Sequence, residues 1–134
     1  MHMLHHISLG AADIDRSAEF YDKALAPLGY VRVWSDIRVG EQGQAVGYGA
    51  PGEGDKLAIK QVSPGTSSSH PGFHVAFSAP TRESVVRFHA AATSAGGTNN
   101  GGPGIREHYG PNCFAAFVVD PDGHHIEAVC KSAA

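Results

Sequence analysis

His6-Ile7-Ser8-Leu9 and His74-Val75-Ala76-Phe77 decide how this chain is read. In each stretch a histidine opens an alternating strand pattern, and the two lie 68 residues apart. At the same offset Asp13 matches Thr81, Phe20 matches Phe88 and Gly29 matches Gly97. Each copy reads as a strand, a capped helix ending near glycine, then further strands. Such a duplication sets two imidazoles in equivalent places about an approximate two-fold axis, which is half of a metal site.

Working outward through the first copy, Asp13 offers a helix N-cap, its carboxylate accepting an otherwise orphaned backbone N–H. Ile14, Ala18, Tyr21, Leu25 and Leu28 recur at helical spacing, and Pro27 with Gly29 ends the run. Strands are predicted over 30–36, 44–50 and 56–62. The second copy repeats the order. A strand over 73–79 leads to Thr81, which caps a helix carrying Val85, Phe88, Ala92 and Ala95, with Gly96-Gly97 as its stop. The glycine-rich 98–104 allows only a short, irregular strand. Strands over 112–120 and 125–131 are joined by Pro121-Asp122-Gly123, a hairpin turn. The predicted class is α+β, one domain over 1–134. Duplicated βαβββ units of about 1–62 and 73–131 are joined by 63–72.

Composition narrows the function. A formal charge of −3 gives no footprint for nucleic acid. No apolar run is long enough to span a bilayer and no signal peptide opens the chain, so neither nucleic acid nor membrane is an expected partner. Two cysteines, Cys113 and Cys130, make no disulfide framework, and a cytoplasmic setting is expected. Histidine stands out, with nine copies in 134 residues.

Strand alternation separates Ile126 from Glu127 onto opposite faces, and a carboxylate among Ile126, Ala128 and Val129 is costly to bury unless a cation or strong donors meet it. His6, His74 and Glu127 thus make a plausible set for one divalent ion (Fe, Mn, Ni or Zn), with open positions for water or substrate. Glu127 is also the only evident base. The offset carries Glu127 onto Ile59, so the fourth related position is apolar; a slip of two residues would place Gln61 there.

These residues resemble the vicinal oxygen chelate superfamily, which includes glyoxalase I, bleomycin-resistance proteins, extradiol dioxygenases and fosfomycin-resistance thiol transferases. The resemblance rests on Leu4 through Leu9, Asp13 through Tyr21, Gly72 through Phe77, and Phe117 through Val129 with Asp120-Pro121-Asp122-Gly123. It implies that the two units form curved mixed sheets around a shared cavity, with metal ligands on the first and last strands of each unit, and His6, His74 and Glu127 match three of the four places. An apolar residue at the fourth points away from glyoxalase I, which has a glutamate there, and toward the two-histidine, one-glutamate branches. The expected function is a divalent-metal-dependent, glyoxalase- or dioxygenase-like enzyme (a lyase, dioxygenase or thiol transferase). It would act on a small oxygen-bearing substrate through chelation and oxyanion stabilisation. The alternative is a metal-free protein, like those of bleomycin resistance, that sequesters a small molecule. A homodimer is expected in either case, because open sheet edges need cover.

Around this centre, Arg106, His108 and Tyr109 follow a glycine-rich run and are candidates to reach substrate, as are Ile59, Gln61 and Tyr48. Trp34 and Tyr48 either line the cavity or pack in the core or on the surface. His125 shares a face with Glu127; His5, His89 and His124 are expected at the surface, and His70 in the solvated connection.

Overall fold

The computed structural model describes residues 3–65 and 72–133; His70 and most of the connection between the copies lie outside the described residues. The first copy contains β1 (Ile7–Ala11), α1 (Ile14–Leu25), a 3-10 turn (Ala26–Leu28), β2 (Val31–Asp36), β3 (Ala45–Gly49) and β4 (Leu57–Gln61). The second contains β5 (Val75–Ser78), α2 (Arg82–Ser94), β6 (Thr98–Asn99), β7 (Gly104–Ile105), a 3-10 turn (Glu107–Tyr109), β8 (Phe114–Val119) and β9 (His125–Cys130). Both helix starts form as their caps require: Asp13 accepts from the Arg16 N–H, and Thr81 and Ser84 close a reciprocal capping box.

One sheet has the order β1-β4-β3-β2 and the other β5-β9-β8-β6, with β7 also paired to β8. In each, the first strand of the unit lies parallel to the last and forms the sheet's edge; the other pairings are antiparallel. The result is an α+β fold of two mixed sheets. A single core joins them: Ile14, Ala18, Tyr21 and Leu25 from α1 meet Val85, Phe88 and Ala92 from α2, with Leu9, Val46, Ile59, Val118 and Ile126 from the sheets. Each large side chain here contributes roughly 1.5–3 kcal/mol by leaving water. Gly97 permits the closest approach, since a Cβ there would strike Val118 and Phe20, one from each unit. Gly29, at φ 91°, turns the chain out of the 3-10 segment into β2, a conformation that L side chains resist.

One junction between the units is knitted by the β8–β9 turn. Asp120 accepts from the Tyr21 hydroxyl and from the backbone N–H groups of Asp122 and His124. Asp122 in turn accepts from the Ala12 N–H, the Ser17 hydroxyl and Arg16. His124 departs from the surface position expected of it: it is 4% exposed, and its Nε2 donates to the Gly10 carbonyl at 2.7 Å. A turn residue can be buried when the turn itself docks on a neighbouring element. Burial raises the Asp120 carboxyl above the usual carboxylate range despite the opposing hydrogen bond from Tyr21. Burial, then the charge of Asp120, pushes the Tyr21 phenol well up.

Candidate functional site

Faces follow from burial. Ile126, Ala128 and Cys130 of β9 turn toward the helices, leaving His125, Glu127 and Val129 on the opposite, half-open face. Ala76 pairs in register with Glu127, and Phe117 pairs with it from the other side. His74, at the mouth of β5, brings its Nε2 to 3.0 Å from Glu127 Oε1. The Glu127 side chain keeps 12% of its exposure and the His74 ring 50%, so the pair sits at an accessible surface. Beyond it, the Arg106 guanidinium lies over the Phe117 ring, 5.4 Å from the centroid, and is steadied by a bond to the Gly102 carbonyl. His125 joins the same face and meets Asn100. One face of the second sheet therefore carries an imidazole, a carboxylate, an aromatic ring and a guanidinium.

The first unit offers a different set. His6 lies at the mouth of β1, where its Nδ1 is 2.8 Å from Nδ1 of His5; His5 thus partners His6 as well as facing solvent. With Nδ1 engaged, Nε2 is the nitrogen free to ligate. The fourth related position needs correcting. Ile7 pairs with Leu57 and Val75 with Ile126, so the repeat offset is 68 at the first strands and 69 at the last. One extra residue in the second unit's loops shifts the match, and Ala58 is the counterpart of Glu127. Ile59 pairs with Leu9, faces the helices and is 1% exposed; it is a core residue and no part of the site. Gln61 does not reach the site either. Its Oε1 accepts from the Ile14 N–H and its Nε2 donates to the carbonyls of Ala12 and Val62, fastening the start of α1.

Tyr48 is buried, and its hydroxyl bonds the Ala18 carbonyl and Asp22, away from the His74–Glu127 face. It borders instead a 340 Å³ cavity between the units, with Leu25, Tyr30, Leu57 and Phe77. His108 and Tyr109 stack on each other, 4.0 Å between ring centroids, and Tyr109 is 63% exposed. Phe117 was missed from sequence, although its alternation with Glu127 across the Pro121-Asp122-Gly123 hairpin was the signal for it.

The donors present fit a divalent ion. Imidazole nitrogen and carboxylate oxygen are both ligand types that such ions take, and His74 Nε2 and Glu127 Oε1 stand 3.0 Å apart in ion-pair contact. Among the described residues, however, no group of three His, Cys, Asp or Glu side chains converges within one chain. His6 stands apart from the pair it was expected to complete.

The chain's sequence matches the model of the glyoxalase/bleomycin resistance protein/dioxygenase superfamily over residues 3–128, and the chain belongs to that family. Among solved structures it is similar to a glyoxalase/bleomycin resistance protein from Albidiferax ferrireducens, with 29% identity, a TM-score of 0.77, and coverage of 96% of this chain and 99% of that one. It is also similar to a glyoxalase-related enzyme from Fulvimarina pelagi, with 25% identity, a TM-score of 0.68, and coverage of 97% and 88%. A glyoxalase I variant from Zea mays shares the fold, with 23% identity and a TM-score of 0.72 over 94% of this chain and 46% of that one. No curated protein matches the chain. No helix among the described residues is long and apolar enough to cross a membrane.

Proposed function

We propose that this chain is a divalent-metal-dependent enzyme of the glyoxalase/dioxygenase type, acting on a small oxygen-bearing substrate. Its site is assembled from His6 of one copy and His74 with Glu127 of another. The observation that carries this reading is the His74–Glu127 pair, two donor atoms 3.0 Å apart on an accessible face, with Arg106 beside them. The topology favours two copies. Both ligand-bearing first strands are sheet edges, and Leu4, Phe73 and Ile105 stay exposed in the single chain.

Iron, manganese, nickel or zinc held there supplies Lewis-acid stabilisation of an oxyanion. Arg106 orients an anionic group of the substrate, and the Phe117 ring holds its guanidinium in place. Glu127 is the base within reach of a substrate proton. Metal affinity falls as pH drops, because ligand imidazoles must be neutral.

The test is the metal content of protein purified without chelator or polyhistidine tag. About one equivalent per chain is expected. No metal, and none taken up on titration, overturns the enzyme reading. Ala58 favours a second reading, in which the cavity of a metal-free relative sequesters a small molecule: the residue in the fourth place has no donor atom.

A further inference from the structure

On the face away from the helices, Ser8, Ala58, Gly47 and Trp34 stand in register across four strands, in that order from the edge. The repeat sets this row opposite in kind to the row Ala76, Glu127 and Phe117 of the second sheet. In the second sheet, a side chain reaching in from beyond β8, Arg106, covers the third member of the row. In the first sheet, the outermost strand sends in Trp34. A Cβ added to Gly47 would fall against Nε1, Cε2 and Cδ1 of the indole, so the ring lies directly on the glycine backbone. Gly47 and Ala58 are buried despite facing away from the helices, while Trp34 remains 38% exposed. The indole's inner side is thus used by the sheet and part of its surface is left open. Ser8, Ala58 and Gly47 carry neither a charge nor a long side chain beside the indole.

We infer that Trp34, seated on Gly47 beside Ala58 and Ser8, is a stacking surface that selects substrates with a planar, unsaturated body. The inference takes the substrate to lie between this row and the His74–Glu127 half, and so rests on the functional reading above. The polar half would hold the oxygens and any anionic group, and the flat half would hold the ring. Small or absent side chains at Ser8, Ala58 and Gly47 leave a ring room to lie flat, where a fourth carboxylate would occupy the space. An indole face attracts an aromatic ring more than a saturated one of the same size.

Trp34 is the single tryptophan of the chain, so its emission reports this surface alone. The experiment uses mandelate and hexahydromandelate, which share vicinal oxygens and a carboxylate and differ only in ring saturation. Binding is followed by calorimetry and by Trp34 emission, with metal content measured on the same samples. Mandelate is expected to bind roughly three- to tenfold more tightly than its saturated counterpart and to perturb the emission saturably. Trp34→Leu, which keeps an apolar cover on Gly47 and hence the fold, should erase that preference without changing metal content, and Trp34→Phe should restore most of it. Equal affinity for the two acids overturns the inference, as does a preference that survives Trp34→Leu, since the indole then serves only to cover the glycine. A Trp34-dependent preference in protein that binds no metal upholds the inference while overturning the enzyme reading. Bound metal without the preference does the reverse.

Discussion

The two units share a topology and differ in what they present on the same face. The second offers His74, Glu127 and Arg106 over Phe117. The first offers His6, then Ala58, Gly47 and Trp34. The first three strands of each row pair in the same order, while the outer strand differs: β2 runs unbroken with a register shift beside Trp34, and β6 and β7 divide its place in the second sheet. On the proposed reading one carboxylate and two imidazoles make a three-donor set, so the first unit needs to supply no more than His6. The unit without the carboxylate is then open to a task set by shape.

The largest effect is expected from breaking the donor-rich half. Glu127→Gln keeps size and hydrogen-bonding capacity but removes the charge. Because substitution of groups merely supporting a ligand typically costs about 10–100-fold in metal affinity, loss of the ligand itself should cost about 100-fold or more. A change beside Ala58, the counterpart of Glu127 in the other unit, such as Ser8→Ala, should leave metal affinity unaltered. Comparable losses from both changes would mean that the metal does not distinguish the two halves.

Stability should divide the units as sharply. The β8–β9 turn is docked through Asp120, whereas its counterpart near Pro51 and Gly52 is exposed. Asp120→Ala leaves the buried Tyr21 hydroxyl and the N–H groups of Asp122 and His124 without their acceptor, at a cost of about 2–4 kcal/mol. Pro51→Ala should cost roughly 0.5 kcal/mol or less. Urea unfolding of both variants checks this, and equal costs would show that the docked turn is no tighter a junction than the exposed one.

The fold was legible because repetition doubles every local signal. Asp13 and Thr81 cap, the same helical spacing recurs in α1 and α2, and glycine stops follow each. The proximity of His74 to Glu127 was also legible, since a carboxylate inside an apolar run such as β9 needs a partner. The misplaced residues were Ile59, Gln61 and His124. The first two failed on a single extra residue between strands, which a constant offset cannot register and which flips a side chain to the other face. His124 failed because the docking of a turn is a tertiary event, with Gly10 lying 114 positions away in sequence. The separation of His6 from its expected partners was illegible for a similar reason: spacing fixes which faces match, and says nothing about which copy of the chain supplies them.

That last point gives a sharper test of the two halves. If His6 of one copy serves Glu127 of another, His6→Ala and Glu127→Gln homodimers each lack complete sites. Mixing and re-equilibrating them yields heterodimers in which one of the two sites is whole. For random pairing about a quarter of the wild-type sites should return, read as bound metal. Recovery to that level supports sharing between copies; no recovery in samples shown to exchange subunits places the site within a single chain.

The smallest effect concerns alkaline stability and belongs to the first unit, which holds Tyr21, Tyr30 and Tyr48, whereas Tyr109 of the second is 63% exposed. Burial, followed by the bond to Asp22, raises the Tyr48 phenol strongly, and burial with Asp120 does the same for Tyr21. Both phenols hold their protons in the native state at a pH where the unfolded chain, with an ordinary value of about 10, releases them. Stability is therefore full below about pH 10 and falls above it, because protons then leave the unfolded state first. Each retained proton adds at most about 1.4 kcal/mol of loss per pH unit. Tyr48→Phe removes one titrating group, so its stability should start lower at pH 8 and decline less steeply between pH 10 and 11. Denaturant unfolding at those pH values measures the slopes, and identical slopes in the two proteins would assign the alkaline weakness elsewhere than to Tyr48.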